Sequence, residues 1–323
     1  MSVGARIGLL AAVLVLVVLA VGAWYVWKRP LSVYAAFNRR TLAGAGLTEA
    51  AVQTPDGPQA YWSGGSGPTL VLLHGAGDSA GTWANIVDKL VPRYRLVIPD
   101  LAGHGHSGPA SGPLSVGQVL AGVEAILREG PQDPVIIVGN SLGAWVALLY
   151  AKQHPDRVAR VVLVNGGALV GERSDLDLMP KTRSEAAELM TELRDPSADP
   201  IPGYVLDDVV REANAGPIAR IVSAADTMGE FILEGKLHDL AVPVELIWGE
   251  SDKLFPLSYA ERMMAQLPAS RLTTIPTCGH VPQQECPARF RASLIDVLTM
   301  PPPMPAAKAP DAPAEPPAAA PAK

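Results

Sequence analysis

A series of short apolar runs constrains the fold of this chain more than anything else in it: Thr69 to Leu73, Leu96 to Pro99, Val135 to Val138, Val161 to Val164, Val244 to Trp248 and Leu272 to Ile275. Each is too short for a helix and does not alternate apolar with polar residues, so each predicts a strand buried on both faces. A sheet made of such strands is mostly parallel and carries helices on both sides. The segments between them agree, because Val116, Val119, Leu120, Val123, Ile126 and Leu127 recur at helical spacing, and Leu142 to Gln153 and Ala288 to Leu298 read as two further helices. Ahead of these runs, Val52 to Ser63 has the pattern of a hairpin with Asp56-Gly57 at its turn. The α/β alternation breaks once. From Gly167 to Val242 no strand pattern occurs, and helical patterns are punctuated by Pro180, Pro196, Pro200, Pro202 and Pro217. A compact domain does not hold a structureless loop of that length, so residues 167–242 are expected to form an inserted helical cap.

The 323 residues, 48% of them hydrophobic, are enough for one domain of catalytic size, placed at 51–300, with additions at both ends. At the N-terminus, Ile7 to Trp27 is apolar and uncharged, and crossing a bilayer takes about 20 such residues. Residues 1–28 are therefore read as a transmembrane anchor, with Trp24, Tyr25 and Trp27 at the interface; Val21-Gly22-Ala23 leaves a signal-peptide reading open. Arg6 on one side and Lys28, Arg29, Arg39 and Arg40 on the other lean towards a cytoplasmic body. The juxtamembrane stretch 29–50 either lies along the membrane surface or packs on the body as a short helix. From Pro301 to residue 323 the chain is nearly all proline and alanine, a composition that cannot bury a core.

A net charge of -6 without a basic cluster gives no footprint for nucleic acid. Cys278 and Cys286 are too few for a disulfide framework, and neither they nor the scattered histidines have the spacing of a metal site. No cofactor is expected.

The sharpest local signal is Gly139-Asn140-Ser141-Leu142-Gly143, placed between an apolar strand and a helix. A turn that tight holds Ser141 in a strained backbone conformation, and side chains at Gly139 and Gly143 would strike neighbouring backbone. The hydroxyl is then raised over the sheet at a helix N-terminus, which favours negative charge. Serine needs a base, and the base needs an orienting acid. Asp252 follows the run Val244 to Trp248 and His280 follows Leu272 to Ile275, so Ser141, Asp252 and His280 all lie just beyond strand ends, where open α/β sheets place their sites. Glu250 is the second candidate for the acid. Oxyanion donors are expected from the backbone of Leu142 and from the His74-Gly75-Ala76-Gly77 turn, with Ala76 first and Gly77 second. His74, Asp100 and Gly103 to Ser107 are assigned structural roles.

With these residues in hand, the sequence from about Val52 to Leu298 resembles the α/β-hydrolase superfamily. The resemblance is carried by Leu72-Leu73-His74-Gly75, Pro99-Asp100, Gly103-His104-Gly105-His106-Ser107, the pentapeptide around Ser141, Trp248-Gly249-Glu250-Ser251-Asp252 and Cys278-Gly279-His280. It implies the α/β-hydrolase fold and a triad of Ser141, Asp252 and His280. Within the superfamily the anchor, the basic Arg39-Arg40 and the cap are similar to membrane-anchored monoacylglycerol lipases and their bacterial relatives. That likeness implies hydrolysis of a small lipid-like acyl ester by a single-pass protein of the bacterial inner membrane. Met190, Leu193, Ile221, Met228, Phe231 and Ile232 of the cap are candidates to line its pocket. Asn140 is similar to the residue found before the serine in carbon-carbon bond hydrolases, which keeps that reaction open, along with a lyase and a non-catalytic ligand-binding protein. With serine as nucleophile, likeness to haloalkane dehalogenases and epoxide hydrolases stops at the fold.

Overall fold

The computed structural model describes residues 2–172 and 176–304; the Pro/Ala-rich stretch lies outside the described residues from position 305 onwards. The N-terminal apolar run forms helix α1 (Val3–Lys28), followed by α2 (Pro30–Gly44). Next come the strands β1 (Thr48–Thr54), β2 (Gly57–Gly64) and β3 (Thr69–Leu73), the short helix α3 (Val87–Leu90) and β4 (Arg95–Pro99). After them α4 (Val116–Glu129), β5 (Val135–Asn140), α5 (Leu142–Gln153) and β6 (Val158–Val164) alternate. Three helices, α6 (Arg183–Leu193), α7 (Gly203–Ala215) and α8 (Pro217–Val222), then precede β7 (Val244–Gly249). The chain closes with α9 (Leu257–Met264), β8 (Ser270–Ile275), α10 (Pro282–Glu285) and α11 (Pro287–Thr299).

The strands form one sheet in the order β1-β2-β4-β3-β5-β6-β7-β8. The β1-β2 and β2-β4 pairs are antiparallel and every pair from β3-β4 to β7-β8 is parallel. Strand alternation divides each apolar run between two cores. Val71, Leu73, Ile137, Val161, Leu163, Val244 and Leu246 face α4 and α5 on one side. Leu70, Leu72, Val138, Val162, Val164 and Ile247 face Leu42, Trp83, Phe290 and Leu294 on the other. Each such side chain contributes about 1.5–3 kcal/mol by leaving water, which is why runs with no polar face settle in the middle of the sheet. Among the described residues no strand occurs between β6 and β7, and the helices there lie at the C-terminal edge of the sheet.

Three details depart from the sequence reading. The run Leu272 to Ile275 lies in β8 at the edge of the sheet, where only Ile275 is buried, because an edge strand has a neighbour on one side alone. In the hairpin Thr54 pairs with Gly57, so Pro55-Asp56 makes the turn and Gly57, at φ 103°, opens the returning strand. Cys278 and Cys286, too few to suggest a disulfide framework, form a single disulfide. The chain doubles back after β8 through α10 and brings their Cα atoms within 6.0 Å, close enough to bridge.

Helix α2 packs on the body: Asn38 and Leu42 are buried against it, while Tyr34 and Phe37 stay exposed. Arg39 anchors it through the buried carboxylate of Asp100 at 2.9 Å, and also contacts Glu49 and His106. The other end of α2 meets the helical insertion. Asp208 of α7 accepts from the Leu31 N–H at 3.0 Å, at the start of α2 where helix donors have no intrahelical acceptor. One turn earlier, Trp27 of α1 stacks on Tyr204 with ring centroids 4.9 Å apart. Helix α1 itself buries no residue, and it is long and apolar enough to cross a membrane.

Candidate active site

Ser141 sits between β5 and α5 with φ 54° and ψ -116°, a conformation that costs a non-glycine residue of order 1–3 kcal/mol. Its surroundings over-determine that backbone. The Ser141 N–H donates to Val164 O at 3.0 Å, and its carbonyl accepts from the Ala144 and Trp145 N–H groups. A Cβ on Gly139 would overlap the backbone of Gly143, and one on Gly143 would lie 2.7 Å from His74 O. Gly166, which the sequence reading passed over, closes the third side: a Cβ there would lie 2.7 Å from Ser141 O.

His280 and Asp252 meet in the loops after β8 and β7. The His280 Nδ1–H donates to Asp252 Oδ2 at 2.8 Å, and that partnership leaves Nε2 as the acceptor nitrogen. Asp252 is almost fully buried, yet every lone-pair direction is used: Oδ1 accepts from the Leu254 and Phe255 N–H groups at 2.9 and 3.1 Å, and Oδ2 also accepts from Asn165 at 2.9 Å. Glu250, the second candidate for the acid, is exposed, and the carboxylate hydrogen bonded to His280 is that of Asp252.

Asn165, absent from the sequence reading, is buried, takes a positive φ of 44° and ties the ends of β6 and β7 together. Its side chain accepts from the Gly249 N–H at 2.9 Å and donates both to Gly249 O and to Asp252. Asparagine tolerates the left-handed region better than most residues, which is the one signal its identity carried. Asn140 has a comparable part on the histidine side. Its amide donates to His280 O at 3.0 Å and its carbonyl accepts from Gln283, which also reaches Thr82.

The turn proposed for the oxyanion closes beside the serine, since a Cβ on Gly75 would lie 3.2 Å from Ser141 Cβ. Asp78 N–H donates to Gly75 O across the turn, and Gly77 adopts φ 78°. Leu142 begins α5, so its N–H points out of the helix without an intrahelical acceptor. Ile218 of α8 lies over Gly77, at 2.8 Å from where a Cβ would stand. Of the cap residues expected to line a pocket, Met228 and Phe231 pack against the core beneath the insertion, and Ile221 is buried with it. Met190 lines a separate cleft of about 300 Å³ between α6 and α7, to which none of Ser141, Asp252 and His280 contributes.

Beneath the turn, His74 donates Nδ1–H to Gly75 O and accepts the Leu101 N–H at Nε2, so both ring nitrogens serve the backbone. The His104 ring lies 5.1 Å away. Burial pushes both imidazoles down, His104 to about 3 with His74 adding to the effect. Asp100 is pushed up by burial, but donors from His106, Ala80 and Arg39 outweigh this and leave it below its usual range. Because the folded histidines bind a proton less readily than the unfolded chain, their contribution is present above the ordinary histidine range and is lost as pH falls below it. For His104 the loss from about pH 7 to about pH 5 is about 2 kcal/mol. Urea unfolding at the two pH values should show that loss in wild type and a smaller one in His104→Gln; equal losses would contradict it.

This fold and site define the class. The chain belongs to the alpha/beta hydrolase family, whose pattern it matches over residues 70–293. It is 32% identical to a pimeloyl-[acyl-carrier protein] methyl ester esterase of Aromatoleum aromaticum over 251 residues, covering 72% of this chain and 98% of that one. A 2-hydroxy-6-oxononadienedioate/2-hydroxy-6-oxononatrienedioate hydrolase of Cupriavidus pinatubonensis is 31% identical over 263 residues, 73% and 88% of the two chains. Among solved structures, a membrane phospholipase A superposes with a TM-score of 0.73 at 27% identity, covering 91% of this chain and all of that one.

Proposed function

We propose that the protein is a serine esterase acting on lipid-like acyl esters, with Ser141 as nucleophile, His280 as general base and Asp252 as the acid that orients it. The observation that carries this reading is the His280 Nδ1–Asp252 Oδ2 hydrogen bond, which fixes the tautomer a base needs, at the same sheet edge as a serine held at positive φ. In the reaction Ser141 Oγ attacks the acyl carbonyl while His280 Nε2 takes its proton. The Leu142 and Ala76 N–H groups receive the oxyanion, each such donor being worth about 3–4 kcal/mol in the transition state. The imidazolium then protonates the departing alcohol. Water attacks the acyl-enzyme through the same base and releases the acid.

Two findings favour an apolar acyl substrate. The apolar helix α1 contacts the insertion through Trp27 and Tyr204, which places the cap next to a membrane if α1 spans one. The likeness to a methyl ester esterase and to a membrane phospholipase A points the same way. Carbon-carbon bond hydrolysis is the second reading, favoured by Asn140 and by the relative that acts on 2-hydroxy-6-oxononadienedioate. We place the body on the oxidising side of the membrane, because a disulfide such as Cys278–Cys286 persists there; the two-sided charge around α1 leaned the other way.

The test is turnover of p-nitrophenyl esters of graded chain length by the detergent-solubilised full chain, beside a vinylogous 1,5-diketone. Rising kcat/KM from short to medium acyl chains with no diketone cleavage is expected. Diketone cleavage without ester turnover would replace the esterase reading with the carbon-carbon one.

A further inference from the structure

The segment Glu192–Asp195, where α6 ends, is hydrogen bonded to both loops that carry the proposed acid and base. On the histidine side the His280 N–H donates to Leu193 O at 2.7 Å. On the acid side the Lys253 N–H donates to Glu192 O at 3.1 Å, and the Ser251 hydroxyl donates to the Asp195 carboxylate. The approach is so close that a Cβ on Gly279 would lie 2.8 Å from Arg194 Cα. One carboxylate joins the two partners of this contact. Glu285 accepts the Asp195 N–H at Oε1 and the Gly279 N–H at Oε2, both at 2.7 Å. Glu285 is itself held in place, since it precedes Cys286 and the Cys278–Cys286 disulfide closes the loop that contains Gly279, His280 and Glu285. Hydrogen bonds from Ser197 and Ser251 keep the Asp195 carboxyl below its ordinary range, so it remains an acceptor over the working pH.

We propose that Glu285 is a positioning residue: its carboxylate clasps the cap segment to the His280 loop, so that the base is aligned only while the cap is seated. The inference rests on the serine-esterase reading and extends it to how the cap and triad act together. A carboxylate suits the task because both of its oxygens accept, and the two N–H groups it faces belong to different parts of the chain. An amide of the same shape has one acceptor and one donor, so one of the two N–H groups would face an N–H₂. The side chain touches neither Ser141 nor the reacting atoms, and its effect passes through the backbone of Gly279 and His280.

The experiment compares Glu285→Gln and Glu285→Asp with wild type, using the full chain in detergent. It measures kcat and KM on one p-nitrophenyl ester and backbone hydrogen exchange across 192–195 and 279–280. Misplacing a catalytic group by about 1 Å costs about 100-fold, so Glu285→Gln should lose about 10- to 100-fold in kcat with KM little changed. Its two segments should exchange faster together while β5 and β6 keep their protection, and Glu285→Asp, which retains two acceptors, should recover part of both. Unchanged kcat, or faster exchange at 279–280 with 192–195 still protected, would overturn the proposal. So would a general loss of protection in the sheet, which would mark Glu285 as merely structural. If Glu285→Gln fails to fold, Glu285→Asp is read alone: its shorter side chain should loosen 192–195 and 279–280 together and lower kcat to a smaller extent, and full protection of both segments with wild-type kcat would overturn the clasp. A wild type that turns over no ester would instead sink the esterase reading, and the exchange pattern would still report on the clasp.

Discussion

Ser141→Ala is expected to lower kcat for an acyl ester by about 10⁴- to 10⁶-fold, leaving only the residual rate that oxyanion donors and binding supply. The size follows from losing the covalent step outright, since no other hydroxyl is raised at that turn. Ser107 and Ser251 have their hydroxyls committed elsewhere, to Asp100 O and to the Asp195 carboxylate. The substitution should leave the fold intact, and alanine at φ 54° carries much the same backbone strain as serine. The comparison therefore has to be made at equal folded concentration, with thermal unfolding of both proteins alongside. A loss below about 10-fold with the variant folded would mean that the reaction does not pass through this residue.

Asp252→Asn comes next, with an expected loss in kcat of about 10³- to 10⁴-fold. In wild type both carboxylate oxygens accept two hydrogen bonds each, from Leu254 and Phe255 on one side and from Asn165 and His280 on the other. An amide cannot satisfy both pairs. With its oxygen towards Leu254 and Phe255, its N–H₂ faces His280 Nδ1, and the imidazole is driven into the tautomer that carries its proton on Nε2 and cannot act as a base. With the amide reversed, two backbone N–H groups lose their acceptor in a buried site. The paired control is Glu250→Gln, an exposed side chain, expected to stay within about 2-fold of wild type. Steady-state kinetics on both variants decides between the two acids: a large loss in Glu250→Gln with Asp252→Asn active would reverse the assignment.

Much of the fold was legible because burial writes itself into composition. Thr69 to Leu73 reads as a two-sided buried strand, and all five of its residues are buried between the helical layers. Leu142 to Gln153 is bounded as expected, since the nucleophile turn fixes its start. At its left-hand edge the sheet was less readable: β1 begins at Thr48, and its first four residues are exposed, so no apolar run marks it. What the sequence hides at the candidate site is convergence. Ser141, Asp252 and His280 announce themselves by type and by placement after strands. Asn165, after β6, and Gln283 and Glu285, in the short α10, are polar residues in ordinary-looking sequence, and their roles depend on which groups fold up against them. The Cys278–Cys286 bond was missed for the same reason: two cysteines form no recognisable framework until α10 turns the chain back on itself.

The most direct test of the central claim is to treat the detergent-solubilised wild type with an alkyl fluorophosphonate and locate the adduct by mass spectrometry of its peptides. A single adduct on the peptide containing Ser141 is predicted, absent in Ser141→Ala and formed far more slowly in Asp252→Asn. A folded wild type that takes no label, or one labelled at another serine while Ser141 stays free, would contradict the account.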